Sequence, residues 1–148
     1  SVQPETAVIP ESPNSIEEPR RLTQEELGEK FTFSLSRKIY SLNGVKFIYA
    51  NEGETYSSIA GKYDLFPKEI LRFNDTASDR SLMAGEVVYI QAKKTKAARG
   101  MDKYISDEGG ETMRDLSQRF GLKLKNLCKM NGRGEGYVSQ PGDEFILR

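Results

Sequence analysis

Gly110-Glu111-Thr112-Met113-Arg114-Asp115-Leu116 follows the same plan as Gly53-Glu54-Thr55-Tyr56-Ser57-Ser58-Ile59 earlier in the chain. Each stretch is a turn glycine, an acid, a threonine suited to capping a helix, and the first apolar positions of that helix. One fixed shift with no gap lays residues 46–91 over residues 103–148. Ile59 then falls on Leu116, Tyr63 on Phe120, Leu65 on Leu122, Ile70 on Leu127, Asn74 on Asn131, Gly85 on Gly142 and Ile90 on Leu147. A repeat of this length sets the architecture, so the chain is expected to carry one small folding unit twice.

Within each copy the pattern predicts strand, turn, helix, turn, helix, loop, strand. In the first, Phe47-Ile48-Tyr49-Ala50 reads as the opening strand and Thr55 as the cap of a helix with Ile59, Ala60 and Tyr63 on its inner face. Pro67 suits the first turn of a second helix, Asn74 ends that helix, and Val87-Val88-Tyr89-Ile90 closes the copy. In the second, the corresponding pieces are Tyr104-Ile105, Met113 to Phe120, Leu124 to Met130, and Phe145-Ile146-Leu147. The expected class is α+β, two βααβ modules in tandem, each with its strands antiparallel and both helices on one side. Asn43-Gly44 between apolar runs predicts a type I′ hairpin, which gives the first module an extra strand in front. The expected divisions are residues 1–36, an arm with a short helix after Thr23; 37–91, the first module; 92–101, a basic linker exposed to solvent; and 102–148, the second module.

The composition narrows the chemistry. Lys+Arg and Asp+Glu are both 22 in 148 residues, so no strong field for nucleic acid or an anionic membrane is expected. No stretch is long and apolar enough for a membrane span, and membrane insertion is not expected. The chain has no histidine, which removes Ser-His and Cys-His nucleophiles and histidine metal sites; no metal or other cofactor is called for. The single cysteine, Cys128, has no internal disulfide partner and lies in an apolar helical pattern, as a small buried residue would. Glu54 and Glu111 occupy matching turns of separate modules, not one cleft, so a glycosidase carboxylate pair is not expected and the chain is read as non-catalytic. Tyr63, Phe73 and Phe120 sit at core spacing, and Asn74 and Asn131 read as structural helix ends.

Taken together, Gly-Glu-Thr after a strand, an apolar helix, a second helix ending in Asn and a Gly-acid turn before the last strand resemble the lysin motif (LysM) family. Gly110-Glu111-Thr112-Met113, Ser117-Gln118-Arg119-Phe120-Gly121, Met130-Asn131 and Pro141-Gly142-Asp143 carry the resemblance in the second copy. The first copy is similar, with Ala84-Gly85-Glu86 in place of the Pro-Gly-Asp turn. The layout of both copies also resembles the C-terminal region of secreted glucosaminidases of the Bacteroidetes type, in which a catalytic domain precedes the modules.

The resemblance implies binding of N-acetylglucosamine-containing glycan, peptidoglycan or a chitin-like chain, in a groove between the strand-to-helix turn and the loop after the second helix. Carried onto this chain, the first groove is expected to use Gly53, Thr55 and Tyr56 against Asp75, Thr76, Ala77 and Ser78. The second is expected to use Gly110, Thr112 and Met113 against Gly132, Arg133 and Gly134. Backbone N–H and C=O groups would meet the acetamido group, and Tyr56 or Met113 would supply an apolar wall. The implied role is to anchor an exported, periplasmic or cell-envelope protein, with a parent catalytic domain as a further partner. The competing expectation is a protein-interaction module that docks on a partner or on that catalytic domain. A phosphate-binding role for Lys93, Lys94, Lys96 and Arg99 is disfavoured by the zero net charge and the lack of a nearby aromatic platform.

Overall fold

The computed structural model describes residues 37–148. The expected arm and its short helix lie outside the described residues.

The hairpin forms as the Asn-Gly signal requires. Strands β1 (Tyr40–Leu42) and β2 (Val45–Tyr49) flank Asn43 and Gly44, which both take positive φ, at 55° and 76°. Helices α1 (Tyr56–Lys62) and α2 (Pro67–Phe73) follow, then β3 (Val87–Tyr89), which pairs antiparallel with β2 through Phe47↔Tyr89, Ile48↔Val88 and Tyr49↔Val87. The sheet order is β1-β2-β3. The second unit repeats the plan with β4 (Lys103–Ser106), α3 (Met113–Phe120), α4 (Leu124–Asn131) and β5 (Asp143–Ile146). Each unit has its own core. Ile48, Ile59, Ala60, Ile70, Leu82 and Val88 fill the first, and Met113, Leu116, Leu122, Leu127, Phe145 and Leu147 the second.

Asn74 and Asn131 tie helix to strand. The Asn74 amide donates to the carbonyls of Ile70 (2.8 Å) and Tyr89 (3.0 Å), and its oxygen accepts from the Tyr89 N–H at 2.8 Å. Asn131 repeats this with Leu127 and Ile146. The structural reading is right in kind but not in conformation: Asn74 has φ −105°, and the left-handed residue is its neighbour Asp75, at 53°.

Two expectations need correction. The first is the gapless repeat. Tyr104, not Ile105, stands opposite Phe145, as Ile48 stands opposite Val88. Likewise Gly142 donates to the Ser106 carbonyl, as Gly85 does to that of Ala50. The opening strand is therefore offset by one residue from the rest of the repeat. Because side chains alternate along a strand, that single step exchanges the two faces, and Ile105, aligned by sequence with the buried Ile48, is 53% exposed. The extra residue is taken up at Asp107-Glu108-Gly109-Gly110. A Cβ on Gly109 would lie 2.8 Å from the Ser139 carbonyl oxygen and 2.9 Å from the Gln140 and Pro141 backbone, so only glycine fits there.

The second correction concerns residues 92–101: most of the stretch is exposed as expected, but Lys93 and Ala97 are buried. Lys93 is only 3% exposed. Its ammonium is 2.7 Å from Ser117 Oγ, Gln118 Oε1 and Asp75 Oδ2, so each of its three hydrogens has an acceptor. Lys94 bridges to Leu122, the Ala97 side chain enters the second core, and the Ala97 N–H donates to the Leu147 carbonyl at 2.7 Å. The two units therefore meet across a fixed seam. Helix α3 packs on β3, on the sheet face opposite the first core. Tyr89 is buried there, and its hydroxyl donates to the Gln118 carbonyl at 2.6 Å. Gln118 returns its own amide to Asn74 Oδ1 (2.9 Å) and the Val87 carbonyl (3.2 Å).

Candidate functional site

The strand-to-helix turn of each unit is locked before any ligand enters. Thr55 caps α1 by accepting from the Ser58 N–H at 3.0 Å, and Ser58 Oγ accepts in return from the Thr55 N–H at 3.0 Å. Thr112 and Asp115 make the same reciprocal box at α3, at 3.0 and 2.9 Å. The Gly53 N–H donates to the Leu82 carbonyl and the Gly110 N–H to that of Ser139, so these amides serve the fold. Glu54 pairs with Lys62 at 2.7 Å, and Glu111 with Arg119 at 2.7 Å while also accepting from Tyr104 and Ser106.

Across the first groove, the expected wall divides. Asp75 turns to the second unit: its carboxylate meets Lys93 and accepts from the Leu124 N–H at 3.0 Å, and its carbonyl accepts from Arg114. Thr76 lines the cleft described next. Ala77 and Ser78 are exposed. The residue that closes the turn is Asp79, which the sequence reading passed over. Its carboxylate accepts from the Tyr56 N–H at 2.8 Å and from Ser57 N at 3.3 Å. Burial works against the Asp79 charge, but hydrogen bonds from Ser57, Tyr56 and Arg80 outweigh it and hold the carboxyl below the usual carboxylate value.

Tyr56, which is only 5% exposed and packs in the first core, and Thr76 border a cleft of about 820 Å³, within the roughly 300–1,000 Å³ of small-ligand sites. The first unit gives it an aromatic floor of Phe47, Tyr49 and Tyr89, and the second unit gives it Arg114, Gln118 and Arg119 from α3. Arg80 lies over the Tyr56 ring, 5.8 Å from its centroid, and is held there by Glu86 at 2.7 and 3.0 Å. The Arg80 guanidinium keeps the Glu86 carboxyl below its usual value, whereas burial pushes the Tyr56 phenol up. A second, smaller cleft of about 560 Å³ takes in Asp75, Thr76 and Ala77 with Leu124, Lys125 and Glu135.

The second unit's expected groove is built differently. Met113 is fully buried in the core, so its side chain offers no wall to a ligand. Arg133 folds back over Tyr137 (4.3 Å) and Phe145 (5.0 Å) beside Asp143. Gly132 caps α4 in the left-handed region, and the Gly134 carbonyl accepts from the Tyr137 N–H at 3.1 Å. Neither cleft described above draws on these residues.

Comparison with known proteins places a LysM domain at residues 50–91, the first βααβ unit without its opening strand. The solved structure of the Bacillus cereus spore cortex-lytic enzyme SleL is similar over 70% of this chain and 22% of that one, at 20% identity and a TM-score of 0.30. This chain thus corresponds to under a quarter of that enzyme's length. Among curated proteins no match is found.

Proposed function

We propose that this chain is a non-catalytic glycan-binding region in which residues 102–148 form a second LysM unit beside the first. Its ligand is N-acetylglucosamine-containing glycan, foremost peptidoglycan, and its role is to hold an exported cell-envelope protein or cell-wall hydrolase on that polymer. A catalytic domain of the parent protein, of the glucosaminidase type, is the partner this reading anticipates. The observation that carries the proposal is the LysM domain at residues 50–91, whose capped turn and following loop bring Tyr56 and Thr76 to one cleft.

Co-sedimentation with purified cell-wall sacculi tests it. The chain should pellet with sacculi, respond little to added salt, and be released by soluble N-acetylglucosamine oligomers. A chain that stays in the supernatant at every sacculus concentration refutes the proposal.

A further inference from the structure

The large cleft does not belong to one unit. Tyr56, Thr76, Arg80 and Glu86 come from the first and Arg114, Gln118 and Arg119 from the second, while the floor is the outer face of the β2–β3 sheet. A groove confined to one small unit would end at the first unit's own edge. Here it continues past Tyr56 onto that outer face, which α3 covers only in part. Tyr89 is buried beneath the helix, but Tyr49, on the same face one strand over, is 43% exposed with its ring edge-on to Phe47 at 5.5 Å.

We infer that this seam is an extended carbohydrate subsite, in which sugar residues beyond those held at Tyr56 and Thr76 stack on Tyr49 and are hydrogen-bonded by side chains of the second unit. The inference rests on the glycan reading above and adds where the strand runs. The chemistry suits a sugar. A pyranose has an apolar face that packs on an aromatic ring and a rim of hydroxyls that pairs with planar polar groups. Arg80, Arg114 and Arg119 line the cleft and keep side-chain exposures of 52%, 47% and 53% beside their carboxylate partners, which leaves guanidinium surface open to solvent. Glu86 and Asp115 lie on the same walls, Glu86 already accepting from Arg80 and Met83 and Asp115 from Thr112. The lining thus mixes charges and does not select an anion alone. The seam held by Lys93 keeps both walls in register without a ligand, which lowers the ordering cost of binding a long chain.

The test compares binding of the N-acetylglucosamine trimer and hexamer to the whole chain by calorimetry, with wild type, Tyr49→Ala and Tyr49→Phe. Wild type should bind the hexamer roughly tenfold more tightly than the trimer, and Tyr49→Ala should lose that advantage. Tyr49→Phe, which keeps the ring, should restore it. Amide shifts at Gln118 should appear with the hexamer and not with the trimer. Equal affinity for the two oligomers in wild type, or a hexamer advantage that survives Tyr49→Ala, overturns the inference while leaving the glycan reading intact. Failure of both oligomers to bind overturns the two together.

Discussion

The Lys93 ammonium lies 2.7 Å from the Asp75 carboxylate, in a pocket that Ser117 and Gln118 complete. A side chain between the two repeats thereby joins the end of α2 to the second half of α3, while Asp75 itself reaches the first residue of α4. Burial pushes the Lys93 ammonium below the usual lysine range, and the Asp75 hydrogen bond and charge pull it back. Lys93→Ala should cost about 2–3 kcal/mol in urea denaturation. That is less than the roughly 3–5 kcal/mol of a fully buried pair, because the Asp75 side chain keeps 26% of its surface. Lys93→Met, which fills the space, should cost less than Lys93→Ala.

Tyr89→Phe removes the hydroxyl that meets the Gln118 carbonyl and should lose about 1 kcal/mol at neutral pH. Burial raises the Tyr89 phenol well above its ordinary 10.0. A raised folded value means that the stabilisation is complete below pH 10 and is lost as pH rises beyond it. Melting curves from pH 8 to 11 should fall more steeply above pH 10 in wild type than in the Phe variant.

Asp79 has the opposite sign. Its carboxyl is held below the ordinary 3.8, so its contribution is present above that pH and lost as pH falls through the folded value. Asp79→Asn should lower stability by about 1 kcal/mol at pH 7, the size of a helix-cap loss, and match wild type once the pH is well below 3.8. A difference that persists in acid would show that shape, not charge, matters there.

Asn74→Ala should cost about 2–3 kcal/mol, since it strands the buried Tyr89 N–H and the Gln118 amide together. Asn131→Ala, at the more open site, should cost about 1 kcal/mol. Equal losses in thermal or urea unfolding would contradict this ranking.

Gly109→Ala should cost about 2–3 kcal/mol, combining a left-handed φ of 77° with backbone atoms under 3 Å from the new carbon. Gly134→Ala has open space around it and should be near neutral. The same unfolding measurements check the pair.

Much of this fold was legible. The Asn-Gly hairpin, the two threonine caps, Pro67 at the start of α2 and the order of both units follow from local chemistry that the surroundings do not override. The strand offset was not, because glycines and acids around residues 107–110 align equally well one step apart, and only pairing partners fix the phase. The seam left a sign that went unread. Val45, Phe47 and Tyr49 alternate with Ile48 and Ala50, so β2 is apolar on both faces, the pattern of a strand covered from two sides. In β4 the outward positions include Lys103, which fits a face left open. At the expected site, residue types marked the turn and the loop. They could not show that Asp75 turns toward Lys93, or that Met113 points into the core.

The seam also bears on dissection. The two units share one plan but are unequal, because the sheet of the first uses a helix of the second as its outer cover. A chain stopped at Gln91 would lack that cover and bare Phe47 and Tyr89 to water. It would lack Lys93 as well, leaving Asp75 without its cation. The earlier copy would then be prone to self-association for reasons unrelated to sugar. The later copy, whose outer sheet face is already open, is the better candidate for life on its own.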